Sequence, residues 1–287
     1  MTKLEHKIDF ALVFAVHNAN PNGDPLDGNR PRTTYDGFGE VSDVCLKRKI
    51  RNRLLDLGEN VFVQSDDRRN DEYRSLRERA DAVPELKSCK DKQKYAQLAC
   101  ARWIDVRAFG QVFAFKKGKK AEADEGDAVS VGIRGPVSIQ SAFSIEPVSI
   151  TSLQITKSVN LETGANPDMK APDTMGMKHR VERGVYVTYG SINVQPAEKT
   201  GFSEEDAQAL KEALRTIFRN DATAARPDGS MEVVKLIWWE HNCPNGQYSA
   251  AKVHRSVQIE AGKDGMPRVS VDETAIPGLK YTLIDGE

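Results

Sequence analysis

"IDFALVFAV", residues 8–16, decides the fold of this chain. Only Asp9 breaks a run rich in β-branched and aromatic side chains, which predicts a strand buried in the middle of a sheet. The run closes the N-terminal segment "MTKLEHKIDFALVFAV". Glu5 and Asp9 interrupt its start and no small-residue cleavage site follows, so a strand fits better than a signal peptide. Residues 17–40, "HNANPNGDPLDGNRPRTTYDGFGE", are dense in Gly, Asn, Asp and Pro and predict a long loop. "SDVCLKRKIRNRLLDLG", residues 42–58, then predicts a helix, with Ser42 or Asp43 as N-cap and Gly58 as its stop. At about 100° per residue, Leu46, Ile50, Leu54 and Leu57 share one face, while Lys47, Arg48 and Arg51 share another.

Further along, residues 66–94 are highly charged and carry no apolar period of core quality. A solvated helix is expected within 71–82 and a better buried one over 95–106. Residues 116–127, "KKGKKAEADEGD", read as an exposed excursion. Strand-like text resumes at Val129 and continues through "SIQSAFSIEPVSITSLQI". Residues 158–183 lack strong periodicity and contain Gly164, Pro167, Pro172 and Gly176. Strands are expected over 185–194, 232–239 and 251–259, and a helix over 203–218 opened by Ser203 and Asp206 in capping-box fashion. Without its insertions, at about 62–128 and about 158–183, the order is β-α-β-β-α-β. That is an α+β, ferredoxin-like or RRM-like single domain spanning 1–287.

With 287 residues and 39% hydrophobic content the chain can bury a core. Its formal net charge of −1 means that any anionic partner must be held by local basic patches. No stretch approaches the roughly 18 apolar residues of a membrane span. Four cysteines without a C-x-x-C pair suit a reducing cytoplasm. His241 and Cys243 in "WEHNCPNG" make half of a metal site with no evident second half.

"NANPNG", residues 18–23, imitates the start of a calcium-binding loop, but Asn18 and Asn29 stand where carboxylates are needed, so a turn is expected. Asn20, Asn22, Arg30 and Arg32 in this loop can present donors to phosphates. The glycines of "GIRGPVS" match no phosphate-binding fingerprint. His179, in "MKHR", is either a loop residue or RNA contact, or the general base of a metal-independent RNA cleavage; the first is favoured. The basic helix weighs most. Five cations fall within residues 47–53, and the nearest acids in sequence are Asp43 and Asp56. Such a cluster repels itself and is favourable beside an anion, which points to nucleic-acid phosphate.

"HNANPNGDP", "VSDVCLKRKIRN", "RAFGQVF", "GPVSIQSAFSIEPV", "DTMGMKHRVERGVYVTYG" and "EKTGFSEEDAQAL" together resemble the backbone subunit of the type I-C CRISPR surveillance complex, Cascade, a branch of the RAMP superfamily. The likeness runs from about residue 9 to about residue 239, and the last forty or so residues add little. It implies an RRM-like palm with a fingers insertion and a thumb hairpin. It also implies polymerisation of many copies along a CRISPR RNA, whose exposed bases pair with target DNA. Binding would follow shape and charge rather than base identity. The partners implied are the guide RNA, the target strand, further copies, and the large, small and 5′-handle-processing subunits; no cofactor and no membrane is implied.

Carried onto this sequence, the resemblance assigns helix contacts to Ser42, Lys47, Arg48 and Arg51. Asn22 and Arg32, expected from the loop sequence itself, are added to these as RNA contacts. Lys157 precedes the thumb, within which Met175 and Met177 act as wedges between bases and Lys178, His179 and Arg180 lie near phosphates. The leading expectation is a non-catalytic scaffold. The alternative is an endoribonuclease that trims CRISPR RNA precursors with His179 as acid/base, a task the resemblance gives to a different subunit.

Overall fold

The apolar run forms a strand, β1 (Ile8–Ala19), inside an eight-stranded antiparallel sheet. The computed structural model describes residues 2–114, 130–158, 175–260 and 267–287. After β1 the loop-rich segment makes a small ribbon, β2 (Gly23–Asp24) with β3 (Arg30–Pro31), and a short strand, β4 (Phe38–Val41). Helix α1 (Asp43–Asp56) follows, capped by the Ser42 hydroxyl, which accepts from the Cys45 N–H at 3.3 Å. The chain then leaves the sheet through α2 (Leu76–Asp81), α3 (Pro84–Lys87), α4 (Lys92–Arg102) and α5 (Ile104–Phe109), and a ribbon of β5 (Gly110–Phe113) and β6 (Val131–Arg134). It returns through β7 (Val137–Ile139), β8 (Ala142–Pro147), β9 (Ile150–Thr156) and the 18-residue β10 (Met175–Ile192). Helices α6 (Val194–Thr200) and α7 (Glu204–Arg215) precede β11 (Met231–Glu240) and α8 (Ala250–His254). A ribbon of β12 (Val257–Glu260) and β13 (Arg268–Val271) and an edge strand, β14 (Lys280–Asp285), complete the fold.

Across the sheet the order is β14-β11-β1-β10-β8-β4, with β7 and β9 also paired to β10. Both faces of β1 are covered, which is why its sequence lacks polar alternation. Phe10, Leu12, Phe14 and Val16 enter a core shared with Leu46, Ile50 and Leu54 of α1 and Ala207, Leu210 and Leu214 of α7. Ala11 faces the other way, into a core with Ile237, Trp239, Val253, Ile276 and Leu279. Each fully buried Leu or Phe contributes about 1.5–3 kcal/mol relative to exposure. Gly190 of β10 is required by this packing, since a Cβ there would stand 2.1 Å from Phe10 Cζ.

The capping box expected at Ser203 and Asp206 opens α7 and has a second use. Asp206 accepts from the Ser203 N–H at 3.0 Å and also takes Arg107 of α5 in a bidentate pair at 2.6 and 2.8 Å, fully inside the protein.

The charged region after α1 is mostly exposed and carries a helix within 71–82, as expected, but it also contributes buried residues. It folds around a core of its own, in which Phe62 meets Trp103 and Phe113 at 4.6 and 5.0 Å between ring centroids and Tyr95 meets Phe113 at 5.2 Å. Ala80 and Leu86 pack into it, and Arg79 is buried against Asp71 and the Phe62 carbonyl. The helix expected over 95–106 is two helices, broken where Trp103 is extended. Gly110, at φ 80°, turns α5 into β5 where a Cβ would sit 2.2 Å from the Ile133 carbonyl oxygen.

The strand expected over 185–194 begins ten residues earlier, so 175–183 belong to β10 rather than to an aperiodic insertion. Residues 159–174 and the excursion at 116–127 lie outside the described residues. The strand expected over 251–259 is α8 followed by β12, because the Ser249 hydroxyl caps a helical turn. The C-terminal segment, for which no strand is expected beyond 259, supplies the edge strand β14. No helix among the described residues is long and apolar enough to cross a membrane.

The half metal site resolves into a buried hydrogen-bond network. His241 Nε2 lies 2.8 Å from Asp9 Oδ2, and its Nδ1 accepts from the Gln247 N–H at 2.9 Å, so both ring nitrogens are engaged. Lys7 Nζ, 2.6 Å away, and the Ser191 hydroxyl complete the shell around Asp9. Burial pushes the Asp9 carboxyl up, but hydrogen bonds from His241, Lys7 and Ser191 outweigh it and leave the group below its usual value. A depressed carboxylate stabilises the fold above its unfolded pKa of about 3.9, and that contribution disappears as pH falls through the lower folded value. Asp9→Asn leaves Lys7 buried without its counter-charge and is expected to cost about 3 kcal/mol at pH 7. Urea melts at pH 7 and at about pH 3 check both points, because the wild type should lose more stability on acidification than the variant.

Candidate nucleic-acid interface

The basic helix does not present an unneutralised face. Every one of its five cations meets a carboxylate, mostly one distant in sequence. Lys47 Nζ lies 3.0 Å from Asp43, Arg48 Nη2 3.4 Å from Asp67, Arg51 Nε 2.9 Å from Asp105 and Arg53 Nη1 3.8 Å from Asp56; Lys49 pairs with Asp221. The acids nearest in sequence, Asp43 and Asp56, therefore understate what folding supplies. Burial pulls the Lys49 ammonium below its usual value, and Asp221 opposes that.

Arg51 is withdrawn from solvent for a structural purpose. Its side chain is 15% exposed, stacks 5.1 Å over the Phe109 ring and bonds Asp105, which also accepts from the Phe62 and Val63 N–H groups at 2.6 and 3.0 Å. The expected phosphate contact at this position is thus a tie between α1 and α5. Lys47 sits apart from the groove described next, held one turn back on its own helix.

Four of the expected residues do come together. Asn22, Arg32, Ser42 and Arg48 line a groove of about 920 Å³ beside α1. Asn22 Oδ1 accepts from both the N–H and the hydroxyl of Ser42, at 2.9 Å each, which fixes the loop against the helix N-terminus. Lys49, Arg68 and Arg226 also line it, so five cations face two carboxylates, Asp67 and Asp221. Arg32 contacts Asp24 at 3.3 Å and Arg226 contacts Asp221 at 3.2 Å. Arg68 and Arg226 were not legible as site residues. One lies in the charged segment after α1 and the other in the loop after α7, and only the tertiary fold brings them to α1.

The second group lies on a two-stranded ribbon formed by β9 and the first part of β10. The register pairs Met175 with Thr156, Met177 with Gln154 and His179 with Ser152. Met175 and Met177 are exposed and share a face with His179, while Lys178 and Arg180 occupy the opposite face. The five expected hairpin residues, Met175, Met177, Lys178, His179 and Arg180, therefore do not form one patch. His179 Nδ1 lies 2.8 Å from the Ser152 hydroxyl oxygen, which also accepts from Arg30 Nη1 at 3.3 Å and so joins the ribbon to the β2–β3 loop. Arg180 Nε is buried without a hydrogen-bond partner among the described residues. Lys157 is exposed just past β9. Chemically, the groove can hold a chain of phosphates, and the ribbon can offer apolar side chains on one face and cations on the other.

Among the described residues no group of three or more His, Cys, Asp or Glu is placed to hold a metal ion. The family model for CRISPR-associated protein Cas7 matches residues 6–277, and the chain belongs to that family. It is 28% identical over 239 residues to a CRISPR-associated protein Cas7 from Haloferax volcanii, covering 78% of this chain and 67% of that protein. A solved chain described as "CRISPR RNA-guided surveillance complex, pre-nicking" is 17% identical with a TM-score of 0.47, over 81% of this chain and 78% of that one. Another, "CRISPR RNA-guided surveillance complex", is 17% identical with a TM-score of 0.42, over 81% and 68%.

Substitutions at Arg51 and Lys47 should differ sharply in cost. Arg51→Glu sets a carboxylate against buried Asp105 and should cost about 3 kcal/mol or more of stability. Lys47→Glu, on the surface, should cost about 0.5 kcal/mol. Chemical denaturation of both variants checks this.

Proposed function

We propose that this chain is the CRISPR RNA-binding backbone subunit of a Cascade-type surveillance complex. The observation that carries the reading is the Cas7 family match along residues 6–277. The groove beside α1 supports it. Guanidinium, amide and hydroxyl groups line it, a set suited to sugar and phosphate rather than to one base, as a subunit that accepts every spacer requires. We assign phosphate contacts to Asn22, Arg32, Ser42, Arg48, Arg68 and Arg226, and take Arg51 out of the contact set.

The finer reading is type I-C, supported by the motif set in the sequence. Strands β11, β1, β10 and β8 lie side by side and are the fourth, first, third and second strands of the β-α-β-β-α-β path, which supports an RRM-like palm. The separately cored unit around Phe62 and Trp103 is the fingers, and the β9–β10 ribbon is the stem of the thumb. On that ribbon Met175 and Met177 hold neighbouring bases apart, with Lys157, Lys178, His179 and Arg180 beside the guide. Copies follow one another along the RNA in the cytoplasm, flanked by the large, small and 5′-handle subunits, and the exposed guide bases pair with target DNA. The protein acts as a scaffold, not as an enzyme.

The test is binding of two unrelated single-stranded RNAs between about 50 and 200 mM salt. Engagement of about four phosphates per copy gives a slope of log K on log[salt] near −3, equal for the two sequences. A flat response, or strong preference for one RNA, removes the scaffold reading. Site-specific cleavage of a precursor RNA that proceeds without a metal ion and that His179→Ala abolishes would replace it with the nuclease.

A further inference from the structure

Arg48 differs from its neighbours on α1. Lys49 and Arg53 are buried against their carboxylates and Arg51 nearly so, whereas Arg48 is 61% exposed and its partner Asp67 is 70% exposed. A single approach of 3.4 Å joins them, near the long limit of a hydrogen bond. Both residues line the groove.

Asp67 is nevertheless held in place. The next residue, Arg68, grips both carboxylate oxygens of Asp56 on α1 at 2.6 and 2.8 Å and the Asn220 carbonyl at 2.7 Å. Its N–H also closes a turn onto the Ser65 carbonyl at 3.0 Å. An anchored turn thus carries a carboxylate to the most accessible guanidinium of a groove whose other charged residues are mainly cations. To an arginine, a carboxylate and a phosphate offer the same thing, a pair of anionic oxygens.

We propose that Asp67 is a built-in substitute for phosphate, which occupies Arg48 while the groove is empty and is displaced by an entering RNA phosphate. The proposal rests on the RNA-binding reading above. An exposed ion pair contributes little and is screened by salt, so the exchange is open to a strand that engages Arg32, Arg68 and Arg226 as well. Asp67 thereby lowers the affinity of the groove for any anion that takes Arg48.

The experiment measures binding of a labelled single-stranded RNA by the full chain at about 0.1 M salt, with the wild type, Asp67→Asn, Asp67→Ser, Asp67→Glu, Arg48→Gln and the double variant Arg48→Gln/Asp67→Asn. Both neutral variants should bind roughly two- to fivefold more tightly, the size expected of an exposed ion pair, and Asp67→Glu should stay near the wild type. Arg48→Gln should bind more weakly, and adding Asp67→Asn to it should restore nothing. Binding by the wild type with no gain in either neutral variant overturns the proposal and leaves the RNA reading standing. A full gain that persists without Arg48 also overturns it, since Asp67 then acts through the general field of the groove. No RNA binding by any of the six proteins removes the RNA reading and this inference with it.

Discussion

Two buried charges on one six-residue helix hold the molecule together. Asp105 and Arg107 of α5 stand two residues apart and reach in different directions, Asp105 to Arg51 of α1 and Arg107 to Asp206 of α7. Both targets lie on the helices that cover one face of the sheet, so the unit built around Phe62, Tyr95, Trp103 and Phe113 is fastened to the core on that face at two points. Neither fastening is a simple gain in stability, because desolvating the ions offsets much of their attraction. Their value is geometric. Asp105 also accepts two backbone N–H groups at Phe62 and Val63, and Arg107 is bidentate, so each pair admits one arrangement.

The same economy governs the surface beside α1. A chain with a net charge of −1 makes a cationic groove by bringing Arg32, Arg68 and Arg226 from three separate segments to Arg48 and Lys49. It tempers that groove with Asp67 and Asp221. Two of the helix cations that look most exposed on a helical projection serve other ends, Arg51 as a tie to α5 and Lys47 as a local pair with Asp43.

What was legible in the sequence follows from the range of the interactions. Local signals were read well. The uninterrupted β1, the Ser42 cap and the Ser203–Asp206 capping box depend on a few neighbouring residues, and all three stand in the structure. The core around Phe62 and Trp103 was hidden, because its apolar residues are spread over short helices among buried arginines such as Arg79 and follow no single period. The first part of β10 was hidden for the opposite reason, since a ribbon exposed on both faces needs no alternation of polar and apolar residues. In the candidate site, Asn22, Arg32, Ser42 and Arg48, each expected from the sequence as an RNA contact, come together in the groove, whereas the pairing of Arg51 and the arrival of Arg226 depend on contacts far away in the chain.

Strand β10 runs without interruption from the ribbon into the middle of the sheet, and at about 3.3 Å per residue its 18 residues span about 60 Å. The ribbon is therefore continuous with a rod clamped between β1 and β8, and it inherits its rotation from the clamp. Because side chains alternate with a period of two, the parity of the residue count between Gly190 at the clamp and Met177 on the ribbon decides which face carries the methionines and which the cations. Evolution can lengthen or shorten this stretch by two residues and keep the faces. A change by one would turn the ribbon inside out while leaving every residue of the groove untouched.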